Sequence, residues 1–89
     1  MKAKVYVTLK DSIHDPQGVA ILQALSSLGF NDAKDVRAGK YFEVELSEQA
    51  IAAAEESVKQ MCEKLLANTV IEKYRYEIVS GQVSNLPRQ

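Results

Sequence analysis

Hydrophobic and polar residues follow two different periods along the first third of the chain. In KAKVYVTLK, apolar Val5, Val7 and Leu9 alternate with polar residues, a period of two that is typical of a half-buried strand. The stretch DPQGVAILQALSSLGF changes to a helical period. Its apolar residues Ile21, Leu22, Leu25 and Leu28 fall on one face of the predicted helix. Gly29 suits the left-handed conformation that commonly ends a helix.

The same order of elements continues in the second half of the chain. KDVRAGKYFEVEL is strand-like, and Gly39 either breaks it into a hairpin or bends a single long strand. SEQAIAAAEESVKQMCEKLLAN predicts a helix that begins after Ser47, and TVIEKYRYEIVS predicts a last strand. The apolar stripe of this second helix comprises Ile51, Val58, Met61, Cys62 and Leu65. The pattern predicts an α+β fold of order βαββαβ, in which two helices cover one face of an antiparallel sheet.

The other face of this sheet is predicted to mix charged and aromatic side chains. We expect it to carry Lys4, Tyr6, Thr8, Tyr41, Glu43, Glu45, Arg75, Glu77 and Val79. Such a face can be solvated, but its tyrosines and valine also make it a reasonable docking surface.

Length and composition restrict the classes of function. The chain has 89 residues, of which 46% are hydrophobic and 26% charged, as expected for one folded domain. We place this domain at residues 1–80 and predict a loose tail at 81–89. The formal net charge of −1 disfavours nucleic acid as a main partner. We expect a cytoplasmic protein, because there is one cysteine, no signal-peptide pattern and no long apolar run.

Two groups of residues are candidates for chemistry. In HDPQG, Asp15 suits the N-cap of the first helix and Pro16 its first position, so a helix start is the favoured interpretation over a phosphate loop. His14 is a candidate general base, and Cys62 a nucleophile that it could activate. However, Cys62 shares an apolar helix face, which favours a structural role. We therefore predict no catalytic residue, no metal ligand and no cofactor bound by this chain.

A short basic feature is the best candidate for contact with a partner protein. In VRAGKY, Arg37 and Lys40 flank Gly39 and precede Tyr41. The alternative interpretation is a solvated turn.

Six separated blocks of the sequence resemble the PurS family, the small subunits of bacterial and archaeal phosphoribosylformylglycinamidine synthase. In chain order these blocks are VTLK, DPQG, AL, LGF, DVRAGKYFEVEL and MCEKLLANTVIEKY. The resemblance covers roughly the first eighty residues, and the set of blocks together is what makes it specific. One residue departs from the pattern: Thr69 stands where family members often have proline.

The resemblance implies a variant of the ferredoxin-like plan and a role in purine biosynthesis. Such subunits self-associate as dimers or dimers of dimers and join an ATP-dependent synthetase subunit (PurL type) to a glutaminase subunit (PurQ type). The assembled enzyme converts formylglycinamide ribonucleotide, glutamine and ATP into formylglycinamidine ribonucleotide, glutamate, ADP and phosphate. ATP and Mg²⁺ are then used by the synthetase subunit, and the small subunit holds the two catalytic subunits together.

Two other classes of function are weighed against this one. A small regulatory domain could bind an amino acid near DPQG. An RNA-binding sheet could stack bases on Tyr6 and Tyr41, although the charge balance and the lack of a glycine-aromatic RNA motif disfavour it.

Overall fold

The computed structural model of the chain describes residues 1–47 and 50–79. Its elements are β1 (Lys2–Leu9), α1 (Pro16–Ser27), β2 (Gly39–Glu45), α2 (Ile51–Met61) and β3 (Glu72–Val79). A π-helical segment, Cys62–Leu66, continues α2 directly. The predicted tail lies outside the described residues, so the boundary at residue 80 stays a prediction.

The three strands form one antiparallel sheet with β1 in the centre, in the order β2-β1-β3. Val5 lies opposite Phe42 of β2 and opposite Tyr76 of β3, so these three side chains share one face of the sheet. Tyr6 lies opposite Tyr41 and Arg75 on the other face. The predicted α+β class and the predicted division of side chains between the two faces are confirmed.

The predicted order βαββαβ has two strands between the helices, whereas the described part of the chain has one, β2. The segment between α1 and β2 contains no paired strand among the described residues. Gly39 is the first residue of β2 rather than the turn of a hairpin. The backbone N–H of Ala38 donates to the side chain of Asp15 at 2.8 Å, and it is therefore not available to a neighbouring strand. The second β element of the chain is thus a single strand.

The hydrophobic core lies between the sheet and α2. Val5 and Val7 of β1 are fully buried, as are Val58 and Cys62, which are four residues apart and lie on one helical face. The π-helical segment changes the spacing after Cys62: the backbone N–H of Ala67 donates to the carbonyl of Cys62 at 3.0 Å, and Ala67 is buried. As a result Leu65, which the sequence places on the stripe, is 81% exposed.

Helix α2 starts later than the sequence predicts. It begins at Ile51, and Ala50 occupies the N-cap position in place of the expected Ser47. Ile51, which belongs to the predicted apolar stripe, is 53% exposed. No helix in the described part of the chain combines the length and the hydropathy that a membrane span requires.

Helix α1 has the predicted ends but not the predicted position. Gly29 has a φ of 96°, and the N–H of Phe30 donates to the carbonyl of Leu25 at 3.0 Å, which completes the expected glycine cap. Gly18 is the only buried residue of α1. The expectation that both helices cover the sheet is therefore correct for α2 and needs correction for α1. The α2 helix and the π-helical segment cover the core face of the three-stranded sheet, and α1 contributes no residue to the core cluster.

Candidate assembly surface

The segment His14–Gly18 is a helix start with an additional long-range contact. Asp15 is only 5% exposed, and its Oδ1 accepts from the backbone N–H of Gly18 at 2.9 Å, which confirms the predicted N-cap. Pro16 is the first residue of α1, also as predicted. The second oxygen, Oδ2, accepts from the N–H of Ala38. These backbone hydrogen bonds, that of Gly18 first, lower the pKa of the Asp15 carboxyl below its usual value.

The proposed pair of a general base and a nucleophile does not form. His14 is exposed, whereas Cys62 is fully buried in the core. Burial raises the pKa of the Cys62 thiol, and the nearby Glu63 carboxylate raises it further. A protonated, enclosed thiol is a poor nucleophile, so the structural role of Cys62 is favoured. The described residues contain no cluster of three or more side chains suited to a metal ion.

The candidate partner contacts at the start of β2 are engaged within the chain. The Arg37 guanidinium donates to the carbonyls of Lys10 and Ile13, both at 3.0 Å. Lys40 forms an exposed ion pair of 3.4 Å with Glu72. Gly39 is exposed at the first position of β2. The contact of these residues with a partner therefore stays a prediction, and the structure gives Arg37 a role in fixing the loop after β1.

The outer face of the sheet is polar and internally paired. The rings of Tyr6 and Tyr41 lie 5.1 Å apart, and the Arg75 guanidinium lies 3.9 Å from the centre of the Tyr6 ring. The Tyr41 hydroxyl donates to Glu43 at 2.8 Å. Desolvation, together with this carboxylate, raises the pKa of Tyr41 to about 12. Because Arg75 covers one side of Tyr6, this face is not an open platform for stacking RNA bases.

A shallow cleft of about 260 Å³ lies beside Asp15, Gly39, Lys40 and Glu72, where a regulatory amino acid would be expected. Its acidic groups are already paired. Both Asp15 oxygens accept backbone hydrogen bonds, and Glu72 accepts from the N–H of Asn68 at 2.7 Å as well as from Lys40. This pairing leaves no unsatisfied acidic group to bind the ammonium group of a ligand, so the cleft does not favour the regulatory alternative.

The apolar stripe of α1, together with Phe30 just after the helix end, is the most exposed apolar feature of the first half of the chain. Leu28 is 73% exposed, Phe30 55% and Ile21 39%, and Leu22 and Leu25 of the same stripe are only half-buried. We call these five residues the α1 surface. Full burial of one such side chain contributes about 1.5–3 kcal/mol. A patch of this kind is typical of a protein–protein contact.

A second apolar surface lies along α2 and the π-helical segment. A groove of about 490 Å³ is lined mainly by Val44, Met61, Leu65 and Leu66. The sequence does not predict this groove. The π-helical segment that begins at Cys62 turns Leu65 away from the core, and the spacing of apolar residues in the sequence does not distinguish a π-helical turn from an α-helical one. The chain thus presents two separate apolar surfaces and no catalytic constellation among the described residues.

Comparison with known proteins identifies the relatives of this chain. The family model PurS, described as phosphoribosylformylglycinamidine (FGAM) synthase, matches residues 2–80. The phosphoribosylformylglycinamidine synthase subunit PurS of Bacillus subtilis is 56% identical over 77 residues, which cover 86% of this chain and 90% of that protein.

Solved structures give the same result. A crystal structure of B. subtilis PurS superposes with a TM-score of 0.76 at 56% identity, covering 85% of this chain and 94% of that one. A chain in the structure of PurLQS from Thermotoga maritima superposes with a TM-score of 0.81 at 31% identity, covering 88% and 95% of the two chains.

Proposed function

This chain belongs to the PurS family of phosphoribosylformylglycinamidine synthase, and we propose that it is the non-catalytic subunit that joins the glutaminase and the synthetase of that enzyme. Its place is in purine biosynthesis, as a component of a glutamine-dependent carbon–nitrogen ligase. The observation that carries the proposal is the similarity to a chain of the Thermotoga maritima PurLQS structure over nearly the full length of both chains.

The surface of the chain supports this role. A subunit that joins others needs exposed contact area but no active site of its own, and the α1 surface and the groove along α2 supply two such areas. We infer that a second copy of the chain covers part of this area, because a small domain with one covering helix leaves apolar surface and strand edges open. The synthetase and the glutaminase then contact the oligomer.

The chemistry belongs to the partner subunits. Ammonia released from glutamine reacts with formylglycinamide ribonucleotide that the synthetase activates with ATP and Mg²⁺, and this chain is expected to bind neither. Its contribution is to keep the two sites in a fixed geometry, which replaces a diffusive encounter between them. A cytoplasmic location fits this pathway and the single buried cysteine.

The experiment measures mass in solution by light scattering, for the chain alone and after mixing with the purified synthetase and glutaminase. We expect an oligomer of the chain alone at tens of micromolar, an order of concentration at which such interfaces are normally occupied. In the mixture we expect one complex that contains all three chains. A monomer that leaves the two larger subunits separate would contradict the proposal.

A further inference from the structure

The orientation of α1 relative to the sheet depends on a small set of contacts at its N-terminus. Gly18 is the only buried residue of the helix, so apolar packing of its side chains on the core does not fix its direction. The contacts that do so join Asp15 and Gly18 to the segment Val36–Ala38. We call this set of residues the α1 joint.

Asp15 connects the two parts of the joint with one buried carboxylate. Oδ1 accepts from Gly18 in the first turn of α1 at 2.9 Å, and Oδ2 accepts from Ala38, directly before β2, at 2.8 Å. Hydrogen bonds to an ionised acceptor are about twice as strong as neutral ones. A residue that served only as an N-cap would need the first contact but not the second.

Two further contacts close the joint. The backbone of α1 at Gly18 approaches the carbonyl of Val36 so closely that a Cβ would lie 2.1 Å from its oxygen. Arg37 extends in the other direction and binds the carbonyls of Lys10 and Ile13, after β1. The end of β1, the start of α1 and the approach to β2 are thereby tied together.

We propose that Asp15 is a positioning residue, which through the α1 joint sets the angle at which α1 presents its apolar surface for assembly of the enzyme. This inference rests on the proposed function. A helix of twelve residues is about 18 Å long, so a rotation of roughly 15° at the joint moves its far end by about 5 Å. A shift of that size would misalign Leu28 and Phe30 with any partner.

Two substitutions separate the N-cap from the joint. Asp15→Ser keeps a side chain that caps helices well but is too short to bridge to Ala38. Arg37→Gln loosens the joint from its exposed side and leaves the cap untouched. The matched control is Ala20→Gly, which weakens α1 by about 1 kcal/mol at an exposed position that is not one of the joint residues.

The first measurement is the distance distribution between spin labels on α1 and on β3, by double electron–electron resonance. Cysteines placed at Ser27 and Glu77, both exposed, carry the labels, and the labelled chain is diluted into excess unlabelled chain. Cys62 is fully buried and stays unlabelled in the folded protein. We expect a broader or shifted distribution for Asp15→Ser and Arg37→Gln, and an unchanged one for Ala20→Gly.

The second measurement is the concentration of this chain that gives half of the maximal glutamine-dependent rate with both partner subunits. We expect it to rise about tenfold or more for Asp15→Ser and Arg37→Gln and to stay within about twofold for Ala20→Gly. Wild-type distances together with wild-type half-saturation would overturn the inference. So would a change in only one of the two readouts, because the proposal links them. Failure of the wild-type chain itself to support the reaction would instead contradict the proposed function.

Discussion

Replacement of Gly18 by alanine is expected to destabilise the protein, although alanine is the stronger helix former. Gly18 is the third residue of α1, and there alanine would gain about 1 kcal/mol from helix propensity alone. The structure opposes this gain. An added Cβ would lie 2.1 Å from the carbonyl oxygen of Val36 and 2.9 Å from Oδ2 of Asp15, so the backbone must move by about 1 Å.

The size of the effect follows from these contacts. Overpacking against backbone costs about 1–3 kcal/mol. Movement of Val36 also displaces Ala38, whose hydrogen bond to the Asp15 carboxylate belongs to a class that contributes about 1.5–3 kcal/mol. With an overpacking cost of about 2 kcal/mol, loss of about half of the hydrogen-bond contribution and subtraction of the propensity gain of about 1 kcal/mol, we expect the free energy of unfolding to fall by about 2 kcal/mol. For a domain of this size, the melting temperature should then fall by about 10 °C.

The assay is thermal unfolding followed by circular dichroism, with all variants at one protein concentration because self-association shifts the melting temperature. Ala20→Gly, the reverse change at an exposed position of the same helix, should lose about 1 kcal/mol through propensity alone. A Gly18→Ala variant that is more stable than the wild type would refute the close packing at the joint.

Three further predictions concern stability. Cys62→Ala should lower the free energy of unfolding by about 1–2 kcal/mol, through loss of buried sulfur from the core, while glutamine-dependent turnover of the assembled enzyme stays near that of the wild type. Thr69→Pro should raise the free energy of unfolding, measured by urea titration, by about 0.5–1 kcal/mol. The backbone N–H of Ile71 donates to the carbonyl of Asn68 at 3.0 Å and closes a turn. Residue 69 is the second residue of this turn, a position that favours proline. The free energy of unfolding should be constant near neutral pH and fall as the pH drops below 3.8, the ordinary aspartate pKa, because the pKa of Asp15 is lower in the folded chain. Urea titrations of Asp15→Ser should show a weaker dependence of stability on pH in this acid range.

Local patterns in the sequence were sufficient to predict most individual elements. The alternation around Val5 and Val7 gave the central strand and both faces of the sheet, because side chains on a strand alternate without regard to distant contacts. Asp15 and Gly29 mark the two ends of α1 in the sequence for the same reason, since a cap depends on the conformation of a few neighbouring residues.

Features that depend on distant contacts could not be predicted. The period of Ile21, Leu25 and Leu28 shows that α1 has an apolar face, but it does not say whether the chain's own sheet or another molecule covers that face. The second hydrogen bond of Asp15 joins residues 23 positions apart, and no local pattern marks Ala38 as its donor. The π-helical turn after Cys62 likewise changes the spacing without a Gly or Pro to signal it.

The central claim is that this chain acts by holding two catalytic subunits in place. The most direct measurement is the rate of formylglycinamidine ribonucleotide formation by the synthetase and glutaminase, with and without this chain, using either glutamine or a high concentration of ammonia as nitrogen source. We expect omission of the chain to abolish most of the glutamine-dependent rate and to leave a substantial part of the ammonia-dependent rate. Full glutamine-dependent activity without the chain would contradict the claim, and equal loss of both rates would show instead that the chain shapes the synthetase active site.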